Sequence, residues 1–201
     1  VIDLPDSSVV FETRDRLLSH LQKRIPGLTR LEDYHHHVID DEWHMATMYG
    51  LATYYWESDL GRSIITSNLD LFRMLIGPDL VTQPAPYLRA VRPGVTGDAA
   101  PLHRDTYYGA SPYEISVVVP LTTMKANAAL RVISGSHTAP DSAFPYTQTV
   151  RNDVETQSPK HQLGYPYAPR LLDSSLMALA EPVPLEVGQV LIFPLQLVHA
   201  G

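Results

Sequence analysis

Pro101-Leu102-His103-Arg104-Asp105-Thr106-Tyr107-Tyr108-Gly109 sets an imidazole and a carboxylate two residues apart. On a β-strand, residues two apart project from the same face, so His103 and Asp105 would stand side by side. A second imidazole, His199, lies close to the C-terminal end. Arriving from a distant strand, it would complete two nitrogens and one carboxylate on one face of an ion. That is the facial triad of non-heme Fe(II) oxygenases, which leaves the opposite positions free for substrate and O2. Such a site needs a sheet that carries position 199 beside 103–105, and so commits the second half of the chain to β structure.

Alone the pair decides little, because nine histidines among 201 residues make one His-x-Asp pair an ordinary coincidence. The plain reading is a surface loop and an unrelated histidine. His103-Arg104-Asp105 also imitates the protein-kinase catalytic loop, but Ala110 stands where that loop needs Asn, and no Asp-Phe-Gly follows. A second constellation runs from Asp33-Tyr34-His35-His36-His37 to Asp40, Asp41 and His44. On one helix, His36, Asp40 and His44 would share a face and could bind a metal. A His and Asp stripe at a helix start is more often solvated and favoured by the helix dipole.

Composition narrows the classes. Hydrophobic residues make up 44% of the chain, enough for one sizeable domain with a real core. A formal net charge of −7 offers no basic block to neutralise phosphates, which argues against a nucleic-acid partner. The absence of cysteine excludes disulfides and thiolate metal sites. No apolar run approaches the ~20 residues of a membrane span and no signal-peptide pattern opens the chain, so a soluble, cytoplasmic protein without a membrane partner is expected.

The first 80 residues read as helical. Val10, Arg14, Leu17, Leu18, Leu21 and Ile25 keep a three-to-four spacing, and Pro26-Gly27 stops the run. A second helix is expected from Asp40 to Trp56, and a third from Ser67, with Ser67 as cap and Asp70 as its reciprocal partner. After Gly77-Pro78 the period changes. Strands are expected over Tyr87–Arg92, Ile115–Leu121 and Leu130–Ile133, and a strand, Gly turn and strand over Leu185–Phe193. Short strands after a helical start predict an antiparallel sandwich or barrel with helices packed outside. Residues 138–181 are rich in Pro, Tyr, Ser, Gln and Asp with little periodicity, and read as a lid insertion carrying Tyr146, Lys160, Tyr165, Tyr167 and Arg170. Tyr107, Tyr108 and Arg131 are the candidates for substrate contact, with His137 a weaker one.

Four segments occur in one order: His103 to Gly109, Leu130-Arg131-Val132-Ile133-Ser134-Gly135-Ser136-His137, Val183 to Phe193, and Leu197-Val198-His199-Ala200-Gly201. This succession resembles the phytanoyl-CoA dioxygenase-like branch of the Fe(II)/2-oxoglutarate oxygenases, over about residues 85 to 201. The resemblance implies a mainly β fold with α, a double-stranded β-helix (a jelly-roll, cupin-like barrel) over 85–201, with the helices of 1–80 outside it in a single domain. It implies His103, Asp105 and His199 as Fe(II) ligands, with 2-oxoglutarate as cosubstrate and O2 as oxidant. The products would be succinate, CO2 and a hydroxylated small molecule. Asp105 fills the position that related halogenases open for halide, so hydroxylation is the expected outcome. The family's Arg for the far carboxylate of 2-oxoglutarate, about ten residues past the distal His, would lie beyond Gly201, together with a last strand. Two other classes stay open: a jelly-roll module that binds a metal or sugar without redox turnover, and a metal-dependent isomerase or hydrolase on a similar barrel.

Overall fold

Asp40 takes an extended backbone, and its carboxylate accepts the Trp43 amide at 2.7 Å, capping α2 (Asp41–Glu57). In the computed structural model, which describes residues 1–147, 155, 157–164 and 169–201 and only the backbone of Tyr108, this helix packs on α1 (Ser8–Gln22). Val10, Thr13, Leu17 and Leu21 of α1 are buried at helical spacing. Leu17 and Leu21 share a core with Met48, Leu51, Ala52 and Tyr55 of α2. The regular helix stops at Gln22 rather than Ile25, although the Leu21 carbonyl still accepts the Ile25 amide at 2.8 Å.

The helix expected from Ser67 is two helices, α3 (Leu60–Ser67) and α4 (Leu69–Ile76), with Asn68 between them. Ser67 ends α3 and caps nothing. The buried Asn68 side chain donates to Ile64 O and to Asp6 O, each at 3.0 Å, and accepts the Asp6 amide at 2.8 Å. One amide thus satisfies a carbonyl near the end of α3 and seats the N-terminal segment beside it.

β5 (Gln189–Pro194) is the centre of one antiparallel sheet, between β1 (Ile2–Asp3) and β2 (Ile115–Val118). β3 (Arg131–Val132) is the centre of the other, between β4 (Glu181–Pro182) and β6 (His199–Ala200). Alternation along β5 assigns its two faces. Val190 and Ile192 join Val10, Ile64 and Phe72 of the helices, while Leu191 and Phe193 join Leu185, Leu197 and Val132. The order is therefore helices, first sheet, second sheet. On the far side of the second sheet Leu102, Ile133, Leu171, Val198 and Ala200 form a further buried cluster.

Helices with antiparallel sheets match the expected class, but the strands are shorter than the pattern suggests, and no closed barrel forms among the described residues. Prolines shorten them: Pro120 follows β2, Pro182 lies in β4, and β5 ends at Pro194. Tyr87–Arg92 is not a strand, because the Arg92 amide donates to the Asp98 carboxylate at 3.0 Å instead of to a ladder. Leu185–Phe193 is not a hairpin. Leu185 pairs with Met124, and Gly188, at φ +97, turns the chain into β5 of the first sheet. Among the described residues no helix is long and apolar enough to cross a membrane.

Candidate metal centre

His103 and His199 face each other across an antiparallel bridge, exchanging backbone hydrogen bonds of 2.9 and 3.0 Å. Directly opposed residues share a face, and the two ring centroids stand 4.3 Å apart. Asp105 does not continue the strand. Its amide donates to Leu195 O at 3.0 Å, and a 3-10 turn over Asp105–Tyr108 begins there. The turn brings Asp105 Oδ1 to 3.3 Å from His103 Nε2 and 3.8 Å from His199 Nε2. The three residues do converge, through cross-strand pairing and a turn rather than through strand period. Their ligand atoms lie within 4.8 Å of one another, the one such cluster of three or more among the described residues.

The hydrogen bonds around the rings decide what the cluster can hold. His103 Nδ1 lies 2.7 Å from Pro101 O, and His199 Nδ1 lies 3.0 Å from Leu197 O. A carbonyl can only accept, so each Nδ1 carries a proton and each ring turns its Nε2 toward Asp105. Burial, then the nearby His103, pushes His199 down to about 4, which keeps its ring neutral at pH 7. Burial alone would raise the Asp105 pKa, but its place against the two imidazoles outweighs this and holds the carboxylate below its usual range. Two imidazole nitrogens and a carboxylate thus converge in a partly buried space. A divalent cation satisfies all three donors, and nitrogen with carboxylate oxygen suits a borderline metal. Phe193, 4.9 Å from the His199 ring, closes one side against water.

The remaining candidates divide. The Tyr107 hydroxyl donates to Phe144 O at 2.9 Å, its ring stacks on Tyr146 at 3.8 Å, and burial pushes its pKa up to about 12. Tyr107 therefore ties Phe144 and Tyr146 to the turn that carries Asp105. Tyr108 ends the same turn, and its side chain lies outside the described residues, as do Tyr165 and Tyr167. Arg131 pairs with Ala200 while Val132 pairs with His199, so Arg131 stands on the sheet face opposite the His199 ring. Its Nε is buried without a hydrogen-bond partner among the described residues; it is not brought to the triad. His36, Asp40 and His44 share no face. His36 lies in a separate 3-10 segment, Asp40 caps α2, and the buried His44 ring meets the Tyr34 hydroxyl at 3.0 Å. Burial, then Arg92, lowers the His44 pKa.

The sequence did not point to Ser136, Asp141 and Phe144 as neighbours of Arg104, the residue between His103 and Asp105. The Gly135-Ser136-His137 motif was their visible signal, without any indication of what it touches.

A family model for phytanoyl-CoA dioxygenase (PhyH) matches residues 19–201. The chain belongs to this family. The match takes in most of the helical part as well as the sheets, and so extends well beyond residues 85 to 201. The family is one of dioxygenase-type enzymes, and His103, Asp105 and His199 are a possible metal site within it. No curated protein sequence matches the chain.

Proposed function

We propose that this chain is an Fe(II)- and 2-oxoglutarate-dependent oxygenase that hydroxylates a small molecule, with His103, Asp105 and His199 as iron ligands. One observation carries the reading: two imidazoles, each with its Nδ1 committed to a carbonyl, aim their Nε2 atoms at a single carboxylate. Two nitrogens and one oxygen on one side of the ion leave the other positions for cosubstrate and O2. With 2-oxoglutarate and O2, bound iron supplies the oxidant that converts a C–H bond to C–OH while succinate and CO2 are released. The chain's own residues hold and orient. The Pro101 and Leu197 carbonyls fix both ring planes, Phe193 keeps water from His199, and Asp105 fills the place a halide would need, which favours hydroxylation. Tyr107, Phe144 and Tyr146 form the aromatic wall from which the 138–181 insertion would cover a substrate. We read the two packed sheets as the parts of a jelly roll with this centre at one end.

The test is succinate release from 2-oxoglutarate under air, screened over a panel of small molecules. Release is expected to require Fe(II) and to disappear in His103→Ala and Asp105→Ala. Release undiminished in both variants would refute the reading. Fe(II) binding without succinate under any panel member would favour a non-redox binding module.

A further inference from the structure

The side chains that hold the ligand-bearing backbone converge on one residue outside the triad. Arg104, between His103 and Asp105, is 2% exposed. Its guanidinium donates to Ser136 O at 2.6 Å and to Ala139 O at 3.0 Å, pairs with the Asp141 carboxylate, and lies 4.9 Å from the Phe144 ring centroid. Ser136 is 3% exposed, and its hydroxyl oxygen accepts the Val198 amide at 2.8 Å, one residue before His199. Gly135, at φ +76, makes the turn that precedes Ser136.

We propose that Ser136 is the positioning residue of the metal centre, holding the His103-Arg104-Asp105 segment with its carbonyl and the Val198-His199 segment with its hydroxyl. The proposal rests on the reading of the triad as the metal site. Backbone hydrogen bonds join the two ligand-bearing segments directly, at His103–His199 and from Asp105 to Leu195, while β3 and β6 beside them have only two residues each. A buried, charge-assisted fork ties the His103-Arg104-Asp105 segment to the 136–141 turn, and its planar geometry suits two carbonyls and a carboxylate together, which a Lys ammonium reproduces poorly. Val198 is fully buried, so without the Ser136 hydroxyl its amide has no water to turn to. Outer-shell groups of this kind set metal affinity by holding ligands in place.

The experiment is Co(II) binding to metal-free protein, followed by calorimetric titration and by the visible absorption of bound Co(II). Wild type is compared with Ser136→Ala, Arg104→Lys, the double variant, and Ile25→Val as a control in the helical core. Each single variant is expected to bind Co(II) roughly 10–100-fold more weakly with an altered spectrum. The double variant should lose little more than the weaker single, because both act through one clasp. Ile25→Val should lower thermal stability and leave Co(II) affinity unchanged. Folded Ser136→Ala and Arg104→Lys with wild-type affinity and spectrum would overturn the proposal and leave the metal site standing. Wild type binding Co(II) no better than Asp105→Ala would overturn both. If Ser136→Ala does not fold, Asp141→Asn carries the test from an exposed carboxylate. A several-fold loss of affinity supports the clasp, and no change overturns it.

Discussion

Asp105→Ala is expected to abolish the rise in melting temperature that divalent metal gives the wild-type protein. Asp105 supplies the one negative charge in the cluster, and without it the cation would meet two neutral imidazoles only. A metal present at 100 times its Kd stabilises the folded state by about 2.7 kcal/mol. In a chain of this length that corresponds to a rise of about 5–10 °C. The variant should show a rise within about 1 °C of zero under the same conditions. Metal-free wild type and variant should melt within a few degrees of each other, since burial of the carboxylate opposes what its contacts with the two imidazoles contribute. Thermal denaturation with and without anaerobic Fe(II) reads both quantities. A full metal-induced rise in Asp105→Ala would remove Asp105 from the ligand set.

Asp98→Ala is expected to cost about 3–5 kcal/mol of folding stability, the usual cost of orphaning one partner of a buried ion pair. Asp98 is 2% exposed and Arg92 9%, and the pair is doubly bonded: Nε to Oδ2 at 2.7 Å and Nη2 to Oδ1 at 2.8 Å. The Arg92 amide donates to the same carboxylate at 3.0 Å. Burial pushes the Asp98 pKa up, but these hydrogen bonds outweigh it and keep the group ionised. Without Asp98, the buried guanidinium would retain only Asp41, at 2.8 Å and 83% exposed, whose water-screened charge compensates little. Asp41→Ala is therefore the informative comparison, since an exposed partner of this kind contributes only about 0–1 kcal/mol. Urea denaturation of the two variants measures the difference. Equal, small losses would show that the pair does not hold the segment leading into His103.

Much of the site was legible because four flanking motifs occur in one order, although the His-x-Asp pair by itself is an ordinary coincidence. His103, Asp105 and His199 converge, yet the strand geometry that suggested it is only half right. Period two described the spacing, while the side-by-side placement comes from a bridge between residues 103 and 199 and from the 3-10 turn at Asp105. Long-range pairing of this kind leaves no local periodicity. The helices at Ser8–Gln22 and Asp41–Glu57 were readable because an amphipathic face and a capping Asp40 act locally. The break at Asn68 was not, because it depends on a buried amide reaching Asp6 across 62 residues. The same holds for Tyr87–Arg92, where a side chain 6 residues away replaces a neighbouring strand. Arg131 looked like a pocket cation until pairing with Ala200 fixed its face. Arg104, between His103 and Asp105, is held by Ser136, Ala139 and Asp141, contacts 32 to 37 residues away that only the fold brings together.

The proposed iron ligands are tested most directly by equilibrium dialysis of the protein against Fe(II) under argon. Wild type and His36→Ala are expected to bind one equivalent each. His103→Ala, Asp105→Ala and His199→Ala should bind none at the same concentration. One equivalent retained in all three, or lost in His36→Ala, would contradict the assignment of the metal to this triad.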